Sequence, residues 1–223
     1  MLVNQLDDRI DSFSQARVGT FLHSCCGIIH VGANTGQERK LYSSRNLPVV
    51  WIEPLPEQFS ELVKNIGSFP GQIAINALIS DRDGATHTLH IANNDGAASS
   101  ILALKHHKDI WPDIRYVGTI EMRSSTLPSA LRSANIDVDS YDALVPDTQG
   151  SELMILRGAG ELLPRFRFIK TEAADFEVYE DCATVEQIRK YLSGFGFVLK
   201  GKHRFAKRAK GGACYDLLFE RFR

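Results

Sequence analysis

Two neighbouring segments carry the residue types and spacing best suited to chemistry. Residues 27–31 are an apolar run that ends in a turn bounded by Gly32 and Gly36, and residues 49–52 are a second run followed by Glu53. In an open α/β sheet, ligands bind beyond the carboxyl ends of the strands, so both tips face one crevice. A carboxylate at the second tip can accept hydrogen bonds from both hydroxyls of a ribose. The turn at the first tip lets a ligand lie against bare backbone.

The glycine spacing narrows the choice of ligand. A dinucleotide fingerprint has the pattern G-x-G-x-x-G, in which bare backbone cradles a pyrophosphate at a helix N-terminus. Read from Gly32, that pattern requires two further glycines where this chain has Asn34 and Gln37. The spacing therefore suits a ligand with ribose and adenine but no diphosphate, of which S-adenosylmethionine is the common one. The alternative is that Gly32 and Gly36 only form a strand-to-helix turn.

Composition favours one soluble domain. The chain has 223 residues, a hydrophobic share of 43% and a formal net charge of -1. A net charge this small does not attract the protein to nucleic acid or to a membrane. We expect a single domain over residues 1–223, with a helical extension at 1–24 and a core at 25–223. No apolar run approaches the roughly 20 residues that span a bilayer.

The four cysteines indicate a reducing compartment. Cys25, Cys26, Cys182 and Cys214 follow neither metal nor disulfide spacing, and free thiols are the rule in the cytoplasm. The N-terminal residues lack the basic segment and apolar core of a secretory signal. We therefore expect a cytoplasmic protein.

Strand and helix patterns alternate along the chain, which predicts a mainly parallel sheet with helices on both faces. The predicted strands are 27–31, 49–53, 72–78, 86–91, 119–123, 141–145, 168–172, 197–200 and 214–220, and the predicted helices are 3–23, 35–45, 56–66, 127–134, 152–163 and 184–192. The last two strands read as an antiparallel hairpin, with the basic segment 200–210 as its solvated loop. The long loop 92–118 is of the kind that forms lids or binding loops.

Five sequence blocks together resemble the FkbM-type methyltransferases. They are I-H-V-G-A-N-T-G-Q-E, I-E-P-L-P-E-Q-F-S-E-L-V-K-N, A-L-I-S-D-R-D-G, D-T-Q-G-S-E-L-M-I-L-R-G-A and F-I-K-T-E, in that order between residues 28 and 175. The resemblance implies the α/β Rossmann-like fold of class I methyltransferases, a seven-stranded, mainly parallel sheet with an antiparallel last strand. It also implies S-adenosylmethionine-dependent methylation of an oxygen, often on a sugar or a secondary metabolite.

The chain departs from the family pattern at His30. Most members have an aspartate there, which helps to organise the methionine end of the cofactor. A histidine can donate or accept a hydrogen bond but carries no permanent negative charge. A neutral structural histidine at the strand end is the alternative interpretation, and both stay open.

Methyl transfer to a hydroxyl requires an in-line acceptor and a base that takes its proton. Asp147 and Glu172 follow two core strands, and His106, with His107, lies in the long loop; the candidate catalytic residues are Asp147, Glu172 and His106. Asp147 has a second interpretation as a helix cap or cofactor ligand, Glu172 as the partner of a basic residue, and the histidines as solvated loop residues. The three candidates could also hold Mg²⁺, although nothing in their spacing demands it, so we predict no metal.

The predicted binding residues follow from the strand tips and the family blocks. For the cofactor they are His30, Gly32, Ala33, Asn34, Gly36, Glu53, Asn76, Ala77, Leu78 and Asp147, and for the acceptor Ser99, Ser100 and Gln149. The expected partner is a hydroxyl on a small molecule or glycan, with no nucleic acid, and the oligomeric state stays open. Two other classes also stay open: a non-catalytic binding module and a nicotinamide-dependent oxidoreductase.

Overall fold

The computed structural model describes residues 18–222 and contains a seven-stranded sheet of order β3-β2-β1-β7-β8-β10-β9. Its strands are β1 (Ile28–Val31), β2 (Val49–Ile52), β3 (Gln72–Ile75), β7 (Ala143–Pro146), β8 (Phe168–Ala174), β9 (Phe197–Lys207) and β10 (Ala213–Arg221). A three-stranded sheet of order β4-β6-β5 joins β4 (Leu78–Ile79), β5 (Thr86–Ala92) and β6 (Tyr116–Ser125). Most of the predicted helix 3–23 lies outside the described residues, and its end forms a 3-10 turn at Thr20–His23.

The central strands are short apolar runs that are buried on both faces. β1, β2 and β7 consist entirely of buried residues. β1 pairs in parallel with both neighbours, so that Ile28 lies opposite Val49 on one side and Ala143 on the other. Continuous apolar runs of this kind are typical of parallel strands that helices cover on both sides.

The helices are α1 (Arg39–Ser43), α2 (Pro56–Ile66), α3 (Leu127–Ser133), α4 (Glu152–Ala159) and α5 (Val185–Ser193). The α2 side chains Leu62 and Ile66 belong to one hydrophobic cluster. Helices α3, α4 and α5 contribute to a second cluster, for example with Leu131 and Ile155. α5 starts with a capping box between Thr184 and Gln187, which satisfies backbone donors that would otherwise lack partners.

The sheet topology confirms the predicted fold class. β10 is antiparallel to both β8 and β9, whereas the pairs β3–β2, β2–β1, β1–β7 and β7–β8 are parallel. The last strand in the chain is therefore inserted between its two neighbours in the reverse direction, as the family resemblance implied.

The prediction of one buried strand over residues 72–78 is wrong. β3 ends at Ile75, and Leu78 starts β4 in the other sheet, where it pairs with Ser124. β3 is the outermost strand on its side, and the side chain of Ile73 is 44% exposed. An apolar run at a sheet edge keeps one face in water, which the sequence pattern alone does not reveal.

The prediction of a solvated loop over the basic segment 200–210 is also wrong. β9 runs through this segment to Lys207, and Lys202 lies opposite Leu217 of β10. β9 is the outer strand of the sheet, where lysine and arginine discourage pairing with another chain. Pairing with β10 extends the strand well beyond the predicted end at residue 200.

All four cysteines are free thiols. Within residues 18–222, no helix has the length and apolar character required to cross a membrane.

Gly158 in α4 marks a close approach between layers. A Cβ there would lie 2.0 Å from the carbonyl oxygen of Ser80. We expect Gly158→Ala to lower the free energy of unfolding by about 2–3 kcal/mol, because the packed backbone must move apart. Urea unfolding measures this change. Gly67→Ala is the matched control, since the nearest atom there would be 3.5 Å away, and an equal loss in both variants would contradict the steric argument.

Candidate functional site

A cavity of about 530 Å³, open to solvent, lies at the carboxyl ends of β1, β2 and β7. We call it the crevice. It is lined by Val31, Gly32, Asn34, Glu53, Pro54, Leu55, Ala77, Leu78, Ile79, Leu89, Gly96, Ala97, Ser99, Ser100, Ile101, Asp147, Thr148, Gln149 and Ser151. Nine of the residues predicted to bind cofactor or acceptor thus meet at one site.

Gly32 brings two strand ends together. It has a φ of +86°, and a Cβ there would lie 1.8 Å from the carbonyl oxygen of Asp147. The amide of Asp147 donates to the oxygen of Val31 at 2.8 Å, so the chain after β7 continues beside β1. Any side chain at position 32 would push Asp147 away from the crevice.

Glu53 is a buried acid that organises the crevice wall. Its side-chain oxygens accept hydrogen bonds from the amides of Asn34 at 2.7 Å and Leu55 at 2.9 Å. Burial raises the pKa of Glu53 to about 7, and these two amide donors oppose the rise. Each carboxylate oxygen has a second lone pair, so Glu53 can hold the turn and still accept from a ligand hydroxyl.

Asn34 ties the long loop to the crevice. It has a φ of +45°, and its side-chain amide donates to the carbonyl oxygen of Asp95 at 3.1 Å. The side chain of Gln58 donates to the same oxygen at 3.2 Å. The first part of the predicted binding loop therefore lies against the crevice and supplies part of its lining.

The two predicted acceptor-binding serines hold this loop in place. The hydroxyl of Ser99 accepts from the amide of Ala92 at 3.0 Å. The hydroxyl of Ser100 donates to the carbonyl oxygen of Gln149 at 2.8 Å. Both residues line the crevice, and Ser100 connects the loop to the segment that follows β7.

His30 lies in the core and lines neither the crevice nor the second cavity described below. Its Nδ1 is 3.2 Å from the hydroxyl of Tyr42, and its ring stacks on Trp51 with centroids 5.0 Å apart. Burial lowers the pKa of His30 to about 4, so the ring is neutral. The geometry corresponds to the structural interpretation and gives no support to cofactor contact.

Three other predicted cofactor residues support the crevice without lining it. Ala33 is 1% exposed within the core. A Cβ on Gly36 would lie 2.8 Å from a side-chain carbon of Leu62, so this glycine allows the turn to pack on α2. The side chain of Asn76 donates to the carbonyl oxygen of Glu53 at 2.8 Å.

A second cavity of about 430 Å³ shares one lining residue, Gln149, with the crevice. Its other lining residues are His107, Trp111, Gly150, Glu152, Glu172, Ala173, Ala174, Val178, Tyr179, Cys182, Ala183, Phe205 and Cys214. The Gln149 side chain donates to Asp147 at 3.2 Å and accepts from the hydroxyl of Tyr179 at 2.8 Å. One hydrogen-bonded chain thus links an acid of the crevice to the wall of the second cavity.

Glu172 lies inside β8 rather than at its tip, where it was predicted. The strand continues to Ala174 because β10 pairs with it beyond the end of β7, and Asp216 lies opposite Glu172. Burial and then the charge of Asp147 raise the pKa of Glu172, while Lys170 opposes the rise. Glu172 lines the second cavity.

Lys170 is a cation whose charge acts on these acids. Its amino group lies 2.8 Å from the carboxylate of Asp216, which is also 3.2 Å from Nδ1 of His203. Burial alone would lower the pKa of Lys170, but Asp216 and the neighbouring acids outweigh that effect and raise it. Sequence analysis missed this group; the alternation of Lys170 and Glu172 on one face of a strand was the available signal.

Glu152 holds the loop between β7 and α4. It accepts hydrogen bonds from the amides of Thr148 and Gly150, both at 3.0 Å. Burial raises the pKa of Glu152 to about 7, although these bonds oppose the rise. These bonds reach back over the turn that carries Gln149.

The structure places His106 outside both cavities, with its side chain 41% exposed. Its Nδ1 lies 3.5 Å from Asp109 and 3.4 Å from Arg208, which keep the ring at the surface. The geometry does not support the predicted catalytic role of His106. The same displacement removes the alternative metal site with Asp147 and Glu172, and residues 18–222 contain no cluster of metal-binding side chains.

Comparison with known proteins decides the family. The profile of the methyltransferase FkbM domain matches residues 30–199. The chain belongs to the FkbM methyltransferase family. The prediction of an S-adenosylmethionine-dependent methyltransferase is therefore confirmed, and the nicotinamide-dependent alternative is wrong.

Relatives of this FkbM-family chain agree with that assignment. It is 29% identical over 179 residues to the 2-O-methyltransferase NoeI of Sinorhizobium fredii, covering 77% of this chain and 72% of the relative. Among solved structures, TrmK of M. capricolum in complex with S-adenosyl-homocysteine superposes with a TM-score of 0.54 at 8% identity, covering 92% of this chain and 66% of that one. Sp1610 of Streptococcus pneumoniae gives 0.51 at 12% identity, covering 92% and 69%. At these low identities the structures confirm the fold alone.

The buried acids of this FkbM-family protein predict how its stability depends on pH. With a folded pKa near 7, Glu152 keeps a proton that the unfolded chain releases near pH 4.5, so stability falls as the pH rises from about 4.5 to 7. Glu152→Gln removes this contribution. We expect the slope of unfolding free energy against pH to become less negative by up to about 1.4 kcal/mol per pH unit in that window.

Urea unfolding at several pH values measures this slope. The glutamine introduced by Glu152→Gln keeps an oxygen that can accept from the Thr148 and Gly150 amides, so the loop should survive. Glu186→Gln changes an exposed acid on α5 and serves as the control. An unchanged slope in Glu152→Gln would contradict the raised pKa.

Proposed function

We propose that this protein transfers a methyl group from S-adenosylmethionine to a hydroxyl oxygen of a glycan or secondary metabolite. The observation that carries the proposal is that the crevice and the second cavity share the lining residue Gln149, with Asp147 lining the first and Glu172 the second. Two neighbouring spaces of this kind suit a donor in one and an acceptor in the other. The O-methyltransferase name of the relative NoeI supports transfer to oxygen.

The residues of the crevice fit S-adenosylmethionine. Gly32 leaves the backbone of the first turn bare, and Glu53 offers carboxylate lone pairs beside it. Ala77 and Leu78 provide apolar surface. We assign the ribose hydroxyls to Glu53, the methionine side to Gly32 and Asn34, and the adenine to the apolar surface. When bound, S-adenosylmethionine supplies a methyl group on a positively charged sulfur that leaves readily.

We assign the acid–base work to the pair Asp147 and Glu172. Two neighbouring carboxylates do not both ionise readily, so such a pair tends to hold one proton. Because burial and the charge of Asp147 raise the pKa of Glu172, that proton resides on Glu172. Asp147 then accepts the proton of the acceptor hydroxyl as its oxygen attacks in line, from roughly 3–3.5 Å.

The supporting residues keep this pair in position. Gln149 donates to Asp147 at 3.2 Å, and Glu152 holds the turn that carries Gln149. Lys170, paired with Asp216 at 2.8 Å, supplies the positive charge that limits repulsion among the acids. These contacts fix the orientation of Asp147.

The charge distribution supports a small acceptor rather than nucleic acid. The net charge is -1, and the basic strand β9 is the outermost strand on its side of the sheet. The free cysteines favour a reducing compartment such as the cytoplasm.

Glu53→Ala tests the cofactor assignment. We expect the affinity for S-adenosylhomocysteine to fall by about 10- to 100-fold, because hydrogen bonds to a charged group contribute about 1.5–3 kcal/mol. Isothermal titration calorimetry measures this affinity. Glu186→Ala removes an exposed acid on α5 and should leave it unchanged. If Glu53→Ala binds as tightly as the wild type, Glu53 does not contact the ligand.

Two isosteric variants test the roles of the acids. Asp147→Asn cannot accept a proton, and we expect kcat to fall by about 10²- to 10⁴-fold. Glu172→Gln resembles the protonated acid, and we expect a loss of about tenfold or less. Transfer of labelled methyl groups from S-adenosylmethionine to a panel of hydroxyl acceptors provides the rates. The reverse order of losses would assign the base to Glu172.

A further inference from the structure

His107 is a buried loop residue at the wall of the second cavity. Its side chain packs between two aromatic rings, with centroid distances of 4.7 Å to Trp111 and 5.4 Å to Tyr179. Its amide donates to the carbonyl oxygen of Val178 at 3.0 Å, which fixes the backbone. The residue is only 3% exposed, so it is not a solvated loop histidine, as the sequence had suggested.

A ring nitrogen of His107 lacks a hydrogen-bond partner. Within residues 18–222, Nδ1 of His107 and Nε2 of His87 are the buried side-chain nitrogen or oxygen atoms that have no hydrogen-bond partner. A buried polar atom left unpaired costs free energy, and such an atom in a native protein calls for an explanation. Burial also lowers the pKa of His107 to about 4. The ring is therefore neutral near pH 7 and can both donate and accept.

The charges around the second cavity favour an uncharged ligand. The acids Glu152 and Glu172 line it, and no lysine or arginine is found among the described residues that do so. The oxygens of Glu152 are already engaged by the amides of Thr148 and Gly150. A phosphate or carboxylate on the ligand would find no lysine or arginine among these lining residues to compensate its charge.

The rest of the wall is apolar and partly aromatic. Its apolar lining residues include Trp111, Val178, Tyr179 and Phe205. The hydroxyl of Tyr179 is engaged by Gln149 at 2.8 Å, so this ring presents its apolar body. A flat apolar wall beside a few polar groups suits a ring with an apolar face and hydroxyls at its edge.

We propose that His107 is an acceptor-binding residue, whose ring turns on binding so that its enclosed, unpaired nitrogen hydrogen-bonds a hydroxyl of an uncharged cyclic acceptor that packs on the aromatic wall. This rests on the proposed function, because it places the methyl acceptor in the second cavity. His107 acts in binding rather than in proton transfer. A second hydroxyl of the same ring is then directed toward Gln149 and the Asp147–Glu172 pair.

The test compares His107→Phe with His87→Phe. Each variant keeps an aromatic ring and removes an unpaired nitrogen, but His87 lies in β5 and lines neither cavity. The probes are neutral methyl glycopyranosides, with the corresponding uronates as their anionic counterparts, added to protein saturated with S-adenosylhomocysteine. Histidine ring ¹⁵N spectra report binding directly, and the dependence of methyl transfer on acceptor concentration reports KM and kcat.

We expect neutral glycosides to shift the His107 ring signals and leave those of His87 unchanged, and uronates to have at least tenfold weaker effect. His107→Phe should raise the KM or Kd of the glycoside about 3- to 10-fold, the value of one hydrogen bond, with kcat within twofold. His87→Phe should change neither. His107→Gln, which keeps a donor and an acceptor, should recover part of the affinity.

Other outcomes separate failure of this inference from failure of the proposed function. If the wild type binds S-adenosylhomocysteine but neutral glycosides leave the His107 signals unmoved, or uronates bind as well, the inference is overturned and the function stands. If S-adenosylhomocysteine itself does not bind, the proposed function fails. Thermal unfolding of each variant shows whether the substitution has caused a general loss of structure. If it has, the response of the wild-type His107 ring signals to neutral glycosides and uronates decides the inference.

Discussion

The close approach of Gly32 to the backbone of Asp147 is the constraint on which the site depends. With a Cβ at position 32 only 1.8 Å from the Asp147 carbonyl oxygen, the two central strand ends can lie side by side only if that residue is glycine. Parallel pairing of β1 and β7 requires that proximity. The same contact positions an acid at the edge of the crevice. One backbone approach therefore serves both the pairing of the strands and the position of the acid.

Hydrogen bonds connect Asp147 to the residues that follow it in the chain. Gln149 has a φ of +58°, an uncommon conformation for a residue with a side chain. Its strain is offset by bonds at both ends, to Asp147 and to Tyr179, and by Glu152, whose carboxylate holds the turn. Strain that the surroundings over-determine in this way is typical of functional positions. Gln149 thus links the wall of the second cavity to an acid that lines the crevice.

The crevice could be predicted from the sequence because its parts lie at strand tips. Apolar runs locate the strands, and parallel strands end at a common edge, so Gly32 and Glu53 had to face each other. The second cavity could not be predicted in that way. Its walls come from His107 and Trp111 in the long loop and from Tyr179 after β8, and irregular segments have no periodic pattern that places a side chain. The extension of β9 through its basic residues could likewise not be predicted from the sequence, because it depends on pairing with β10.

The surroundings of His30 explain how the core accommodates a histidine where most family members have an acid. As a replacement for an acid, it raised the possibility of a module that had lost its activity. In the structure it is enclosed by Trp51 and Tyr42, is neutral because burial lowers its pKa to about 4, and lines neither cavity. An acid in the same enclosure would need a partner to offset its burial, whereas a neutral imidazole needs only the tyrosine hydroxyl. The histidine therefore changes which polar contact is made inside the core. The acids that line the crevice, Glu53 and Asp147, are still present.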